Sequence, residues 1–133
     1  MKARKIAIMA SIGEGNLGDE AILDGILTII EEIDPKTKVI VFSHNPQETA
    51  LYHQSIEVRP VLPAGIRSFV KQVFTGQLFV SIFQLLKVRA VLIGGGGIFY
   101  DSKFSTGRNP LKVWRLRCQI LNFFKVPYAL FGV

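Results

Sequence analysis

Hydrophobic and polar positions along the chain fall into short apolar runs separated by longer amphipathic ones. Ile6, Ala7, Ile8, Met9 and Ala10 form a continuous apolar run of strand length. Residues 19–33 have helical spacing. Ala21, Ile22, Ile26, Ile29, Ile30 and Ile33 are predicted to form one buried face, with Asp34-Pro35 ending the helix. Val39, Ile40, Val41 and Phe42 read as the next strand. Asn45-Pro46 reads as the start of a short helix, with proline where no amide hydrogen is required. A weaker strand is expected at residues 56–58, then a loop holding Pro60, Pro63 and Gly65. Residues 67–86 are predicted as one helix and residues 90–93 as a strand. A helix from Asn109-Pro110 to Phe124 and a last strand at residues 128–131 complete the order.

Strands separated by helix-length connections must lie parallel in one sheet, with helices on both faces. The pattern therefore predicts a Rossmann-like, doubly wound α/β domain with a mostly parallel sheet of about five strands. Ligands in such sheets bind beyond the carboxyl ends of the strands. Two glycine-rich corners fall there. One is Gly13-Glu14-Gly15-Asn16-Leu17-Gly18-Asp19-Glu20 behind the first strand, and the other is Gly94-Gly95-Gly96-Gly97-Ile98-Phe99-Tyr100-Asp101 behind the fourth.

Composition narrows the classes. An apolar share of 49% and a charged share of 20% over 133 residues are globular values and argue against disorder. The single cysteine, Cys118, excludes an internal disulfide. No run of apolar residues reaches the length of a membrane span, and the basic start leads into a loop rather than a cleavage site. Charge is uneven: residues 1–66 hold 6 Lys/Arg against 9 Asp/Glu, whereas residues 67–133 hold 10 Lys/Arg against Asp101 alone. That half would attract an anionic partner, or meet an acidic face of a further domain.

The first glycine loop matches G-x-G-x-x-G, yet Asp19 and Glu20 stand where a pyrophosphate would sit, so it does not read as a dinucleotide site. Asp19 suits a helix start as a capping group or a ligand contact. Asn16 suits a turn or a ligand contact equally. Four consecutive glycines forfeit side-chain packing, about 0.5–1 kcal/mol each against alanine, which makes sense where bare backbone must approach a ligand. The candidate substrate-binding residues are therefore Gly15, Asn16, Gly18, Asp19, Gly94, Gly95, Gly96, Gly97 and Asp101. Catalytic residues are not identified, no cofactor is implied, and His44, His53 and Cys118 lack metal-ligand spacing. Residues 72–86 carry no charge and are flanked by Arg67, Lys71, Lys87 and Arg89. They read as a buried crossover helix, or as a helix lying on an anionic membrane surface. No nucleic-acid-binding module is evident.

Three segments, in order, resemble the N-terminal half of the polysaccharide pyruvyl transferase family. They are Gly15-Asn16-Leu17-Gly18-Asp19-Glu20-Ala21-Ile22-Leu23, Ser43-His44-Asn45-Pro46-Gln47-Glu48-Thr49, and the run from Val91 to Asp101. Arg89 and Ala90 depart from the family, which often has an aspartate there. The resemblance implies a domain like the N-terminal one of a GT-B enzyme, with residues 1–133 as one half of a two-domain protein. It implies transfer of a pyruvyl group from phosphoenolpyruvate to a sugar or lipid-linked saccharide, as a ketal, for a cell-wall or exported polysaccharide. The histidine and arginines that hold the donor would then lie in a second domain. The implied setting is the cytoplasm, peripheral to the inner face of the cell membrane, with a homo-oligomer or the second domain completing the protein. A GT-B-like nucleotide-sugar glycosyltransferase and a non-catalytic binding or assembly module are the competing readings.

Overall fold

The computed structural model describes residues 4–13, 15, 17–94 and 110–131. In chain order they form β1 (Lys5–Met9), α1 (Leu17–Ile33), β2 (Lys38–Ser43), α2 (Pro46–Tyr52) and β3 (Glu57–Pro60). These are followed by α3 (Ile66–Phe74), α4 (Gln77–Lys87), β4 (Ala90–Gly94), α5 (Pro110–Phe123) and β5 (Tyr128–Phe131). The five strands are all parallel, in the order β3-β2-β1-β4-β5. This is the predicted α/β fold, with β1 at the centre pairing Ala7 with Ile40 on one side and with Val91 on the other.

Side chains alternate across the strands and feed two cores. Ala7, Met9, Ile40, Phe42, Val91 and Ile93 pack with Leu85 of α4 and with Trp114 and Leu121 of α5. Ile8, Ala10 and Val41 pack on the other face with Leu23 of α1, joined by Ile26, Leu27 and Ile30. Ser43 belongs to this second face, and its Oγ bonds the Thr49 hydroxyl of α2 at 2.7 Å in a buried position. The helices sort by charge as they sort by layer. Asp19, Glu20, Asp24, Glu31, Glu32 and Glu48 lie on α1 and α2, which have no base; Arg67, Lys71, Lys87, Lys112, Arg115 and Arg117 lie on α3, α4 and α5, which have no acid.

Two expectations are corrected. The helix expected over residues 67–86 is two helices meeting at 89°. Gly76, at φ 72°, takes the left-handed conformation that a helix interior does not allow. The Thr75 amide donates to the Lys71 carbonyl, and its hydroxyl does the same at 2.9 Å, closing off α3. The buried face of α1 is also rotated from the predicted one. Leu23, Ile26, Leu27 and Ile30 face the sheet, whereas Ile29 and Ile33 are exposed. Leucine and isoleucine line both sides of this helix, so apolar identity alone did not fix the phase.

At the amino edge of the sheet, the Lys5 ammonium bonds Glu57 Oε2 at 2.6 Å and Gln84 Oε1 at 2.8 Å, tying β1 to β3 and α4. Burial by itself would raise the Glu57 carboxyl, but Lys5 and then Arg59 outweigh it and hold the group below its ordinary range. Burial pushes the Cys118 thiol up, only partly offset by a hydrogen bond with Tyr128.

Candidate functional site

The first glycine corner is built by close approach of two strand ends. Gly13 has φ 83°, and a Cβ there would run into Ser43 Oγ and come within 2.6 Å of the Asn45 amide nitrogen. Only glycine meets both demands. The β2 end is held to it by the His44 amide, which donates to the Ile12 carbonyl at 2.9 Å, and by the Ser43 hydroxyl, which donates to the same carbonyl at 3.3 Å. Asn45 caps α2: its side chain accepts the Glu48 amide and its Nδ2 donates to Glu48 Oε2 at 2.7 Å.

Between α1 and α2 this corner opens into a cavity of about 420 Å³ lined by Gly13, Gly15, Leu17, Glu20, Asp24, Glu48, Tyr52 and His53. Glu20 and Asp24 are four residues apart, so one face of α1 presents both carboxylates. His53, at the end of α2, reaches between them. Its Nε2 lies 3.3 Å from Glu20 Oε2 and its Nδ1 lies 3.5 Å from Asp24 Oδ1. The Gly13 amide donates to the other Glu20 oxygen at 3.3 Å, which orients that carboxylate. The His53 side chain is 10% exposed, whereas that of Asp24 is 68% exposed, so one end of the cluster is buried and the other open. Three carboxylates lining one cavity, two of them against His53, repel anions and offer several acceptors to hydroxyl groups.

Of the predicted site residues, Gly15 lines this cavity, Gly18 lies exposed in the first turn of α1, and Asp19 lies buried in that turn. The helix begins at Leu17, two residues before the expected start at Asp19, and both carboxylates lie in its first turn. Gly94 ends β4 at the opposite side of β1, where a Cβ would meet the Phe131 carbonyl oxygen and come within 2.6 Å of its ring. Its need for glycine therefore has a packing cause. Asn16, Gly95, Gly96, Gly97 and Asp101 lie outside the described residues.

The sequence reads Glu20 as a helix-end group and gives His53 only the absence of metal-ligand spacing. The Glu20/Asp24 spacing was a visible signal of a two-carboxylate face. The histidine was not, because it is 33 residues from Glu20 and joins it only through packing of α2 beside α1. A second, more polar hollow of about 560 Å³ lies at the β2 and β3 ends, with His44, Asn45, Arg59, Lys71 and Gln72 on its walls. Among the described residues no cluster of His, Cys, Asp and Glu is arranged to hold a metal ion, and no single helix is long and apolar enough to cross a membrane.

Comparison with known proteins gives one match. The family described as polysaccharide pyruvyl transferase matches residues 16–133, which takes in the first glycine corner from Asn16 onward, the whole of the second, and all the elements from α1 to β5. No curated protein and no solved structure matches the chain.

Proposed function

The chain belongs to the polysaccharide pyruvyl transferase family, and from that membership we propose that it forms the acceptor-binding side of an enzyme that ketalises a sugar with phosphoenolpyruvate. The observation that carries the reading is the cavity between α1 and α2, with Glu20, Asp24, Glu48 and His53 on its walls. Such a lining favours a neutral polyol and disfavours a phosphorylated donor. A sugar hydroxyl donating to Glu20 or Glu48 and accepting from His53 would be held in two directions at once.

In the proposed reaction one sugar hydroxyl adds to the enol carbon while its methylene carbon takes up a proton. A second hydroxyl then displaces phosphate, and its proton leaves with the phosphate. The donor carries a phosphate and a carboxylate, so it needs cations. On this reading they come from a second, GT-B-like domain facing the carboxyl edge of the sheet, which would also hold the acid that protonates the methylene carbon. The acceptor is a cell-wall or exported saccharide, free or lipid-linked, and the reaction runs in the cytoplasm.

The test is product release by the full-length enzyme. Phosphate should be released from phosphoenolpyruvate only when a saccharide acceptor is present, and no nucleoside diphosphate should be released from nucleotide sugars. Glu20→Gln and His53→Asn should raise the acceptor KM at least tenfold, about 1.4 kcal/mol of binding, with little change in the donor KM. A rise in the donor KM alone would move the donor into this cavity and defeat the assignment.

A further inference from the structure

We propose that the outer surface of α3 and α4 is a docking face for an anionic lipid bilayer, on which the domain lies without spanning it. A solvated surface helix turns polar residues outward. Here α4 is apolar on both faces: Leu78 and Leu85 face inward with Ser81, while Phe79 (64% exposed), Val80, Phe83 (56%) and Leu86 face outward. On α3, Ile66 (85%), Phe69, Val70 and Phe74 (87%) are exposed in the same way. Beside them, between α3, α4 and α5, lies an almost wholly apolar cleft of about 470 Å³ that includes Ile66, Phe69, Ile82 and Phe124. Exposed apolar surface of this extent marks a contact; α1 and α2 also expose Leu17, Ile33, Leu51 and Tyr52, so it is charge that sets the α3/α4 face apart.

Charge says which contact. No acidic residue occurs from Val58 to Tyr100, while Arg67, Lys71, Lys87 and Arg89 flank the apolar positions. Lys87 Nζ lies 3.9 Å over the Phe83 ring, so the cation and the ring share one site on the outer face. Apolar aromatic positions edged by lysine and arginine are the composition of an interfacial helix at anionic headgroups. The acids of α1 and α2 lie across the sheet. An anionic surface would therefore attract the α3/α4 layer and repel the other, leaving the His53 cavity open to solvent. Neither helix can span a bilayer by itself, and the two meet at 89° rather than running on as one rod. With 9 and 11 residues, the two helices measure about 14 and 17 Å at 1.5 Å per residue, against a hydrocarbon core of about 30 Å.

The proposal does not depend on the pyruvyl transfer reading and is tested without any substrate. The full chain is mixed with vesicles of phosphatidylglycerol and phosphatidylcholine, or of phosphatidylcholine alone, and sedimented at low and rising salt. It should sediment with the anionic vesicles at low salt, release as salt rises, and stay in solution with the neutral ones. The double variant Phe79→Ser/Phe83→Ser and the triple variant Lys71→Gln/Lys87→Gln/Arg89→Gln should each weaken partition at least tenfold. Thermal unfolding should confirm that both stay folded, and either one alone suffices. Failure to sediment at low salt overturns the proposal, as does binding that both variants leave intact. A dimer that the phenylalanine variant converts to monomer, without vesicle binding, would give the face to a second copy instead.

Discussion

Alanine at Gly94 introduces a single methyl group where two strands leave no room for one. The Cβ would point at the Phe131 carbonyl oxygen and lie 2.6 Å from two of its ring carbons, so the end of β5 must shift or the Gly94–Phe131 pairing must open. Forcing a methyl group into a packed site costs about 1–3 kcal/mol. The same change stiffens the unfolded chain and returns about 0.4–1 kcal/mol. The net expectation is a loss of about 1–2 kcal/mol. At roughly 2.1 cal/mol/K of unfolding entropy per residue, 133 residues turn that into a fall in Tm of about 4–7 °C. Circular dichroism melts and urea titrations of Gly94→Ala measure it, with the slope m unchanged if the unfolded state is the same. Phe131→Ala in the same background separates the two obstacles. The ring leaves but the carbonyl oxygen stays, so the double variant should recover less than half of the loss. An unchanged or higher Tm in Gly94→Ala would refute the packing account and return this glycine to the candidate binding residues.

Glu57→Gln should lower stability by about 1–2 kcal/mol near neutral pH, as expected for losing a partly exposed charge-assisted bond. Because the folded carboxyl is held below its ordinary value of 4.5, the difference from the parent is full above that value. It closes as pH falls through the folded pKa, and urea midpoints across pH 3–7 record it (about four pH units). Ser81→Ala should raise Tm, since the Ser81 hydroxyl is fully buried on α4 with no hydrogen-bond partner among the described residues and alanine favours the helix by a few tenths of a kcal/mol. Gly95→Val and Gly96→Val in the full-length enzyme should each cut activity at least tenfold, about 1.4 kcal/mol of transition-state stabilisation, with a smaller relative loss of thermal stability. Full activity in both would make that run an ordinary loop.

Some of this architecture is legible in the sequence because local and long-range signals agree. Residues 128–131 were expected as a strand and form β5 over the same four positions, since Pro127 bounds an apolar run too short for a helix. The break at Gly76 was missed because one glycine in an apolar stretch is a weak stop, and its left-handed φ shows only in three dimensions. The phase of α1 was missed because Ile29 and Ile33 are as apolar as the Leu23 and Leu27 that face the sheet. Gly15, which its glycine spacing singles out, lines a cavity. His53 is not singled out, because its partners are set by how α1 and α2 pack and not by distance along the chain.

The position of β1 at the centre of the sheet has a consequence for how the protein is made. One of its edges pairs with β2, a short way along the chain, but the other waits for β4: Ile6 pairs with Ala90. During synthesis β1 and β2 can meet soon after Ser43 emerges, whereas the 47 residues from there to Ala90 must still be added. At about 5–20 residues per second, the inner edge of β1 stays open for roughly 2–9 s. For that interval Ile6, Ala7, Ile8 and Met9 form an apolar strand with unpaired backbone groups, the kind of edge that templates aggregation. Folding yield in cells should therefore depend on translation speed between α2 and β4, and on chaperones that shield a nascent edge, more than on the final stability of the sheet.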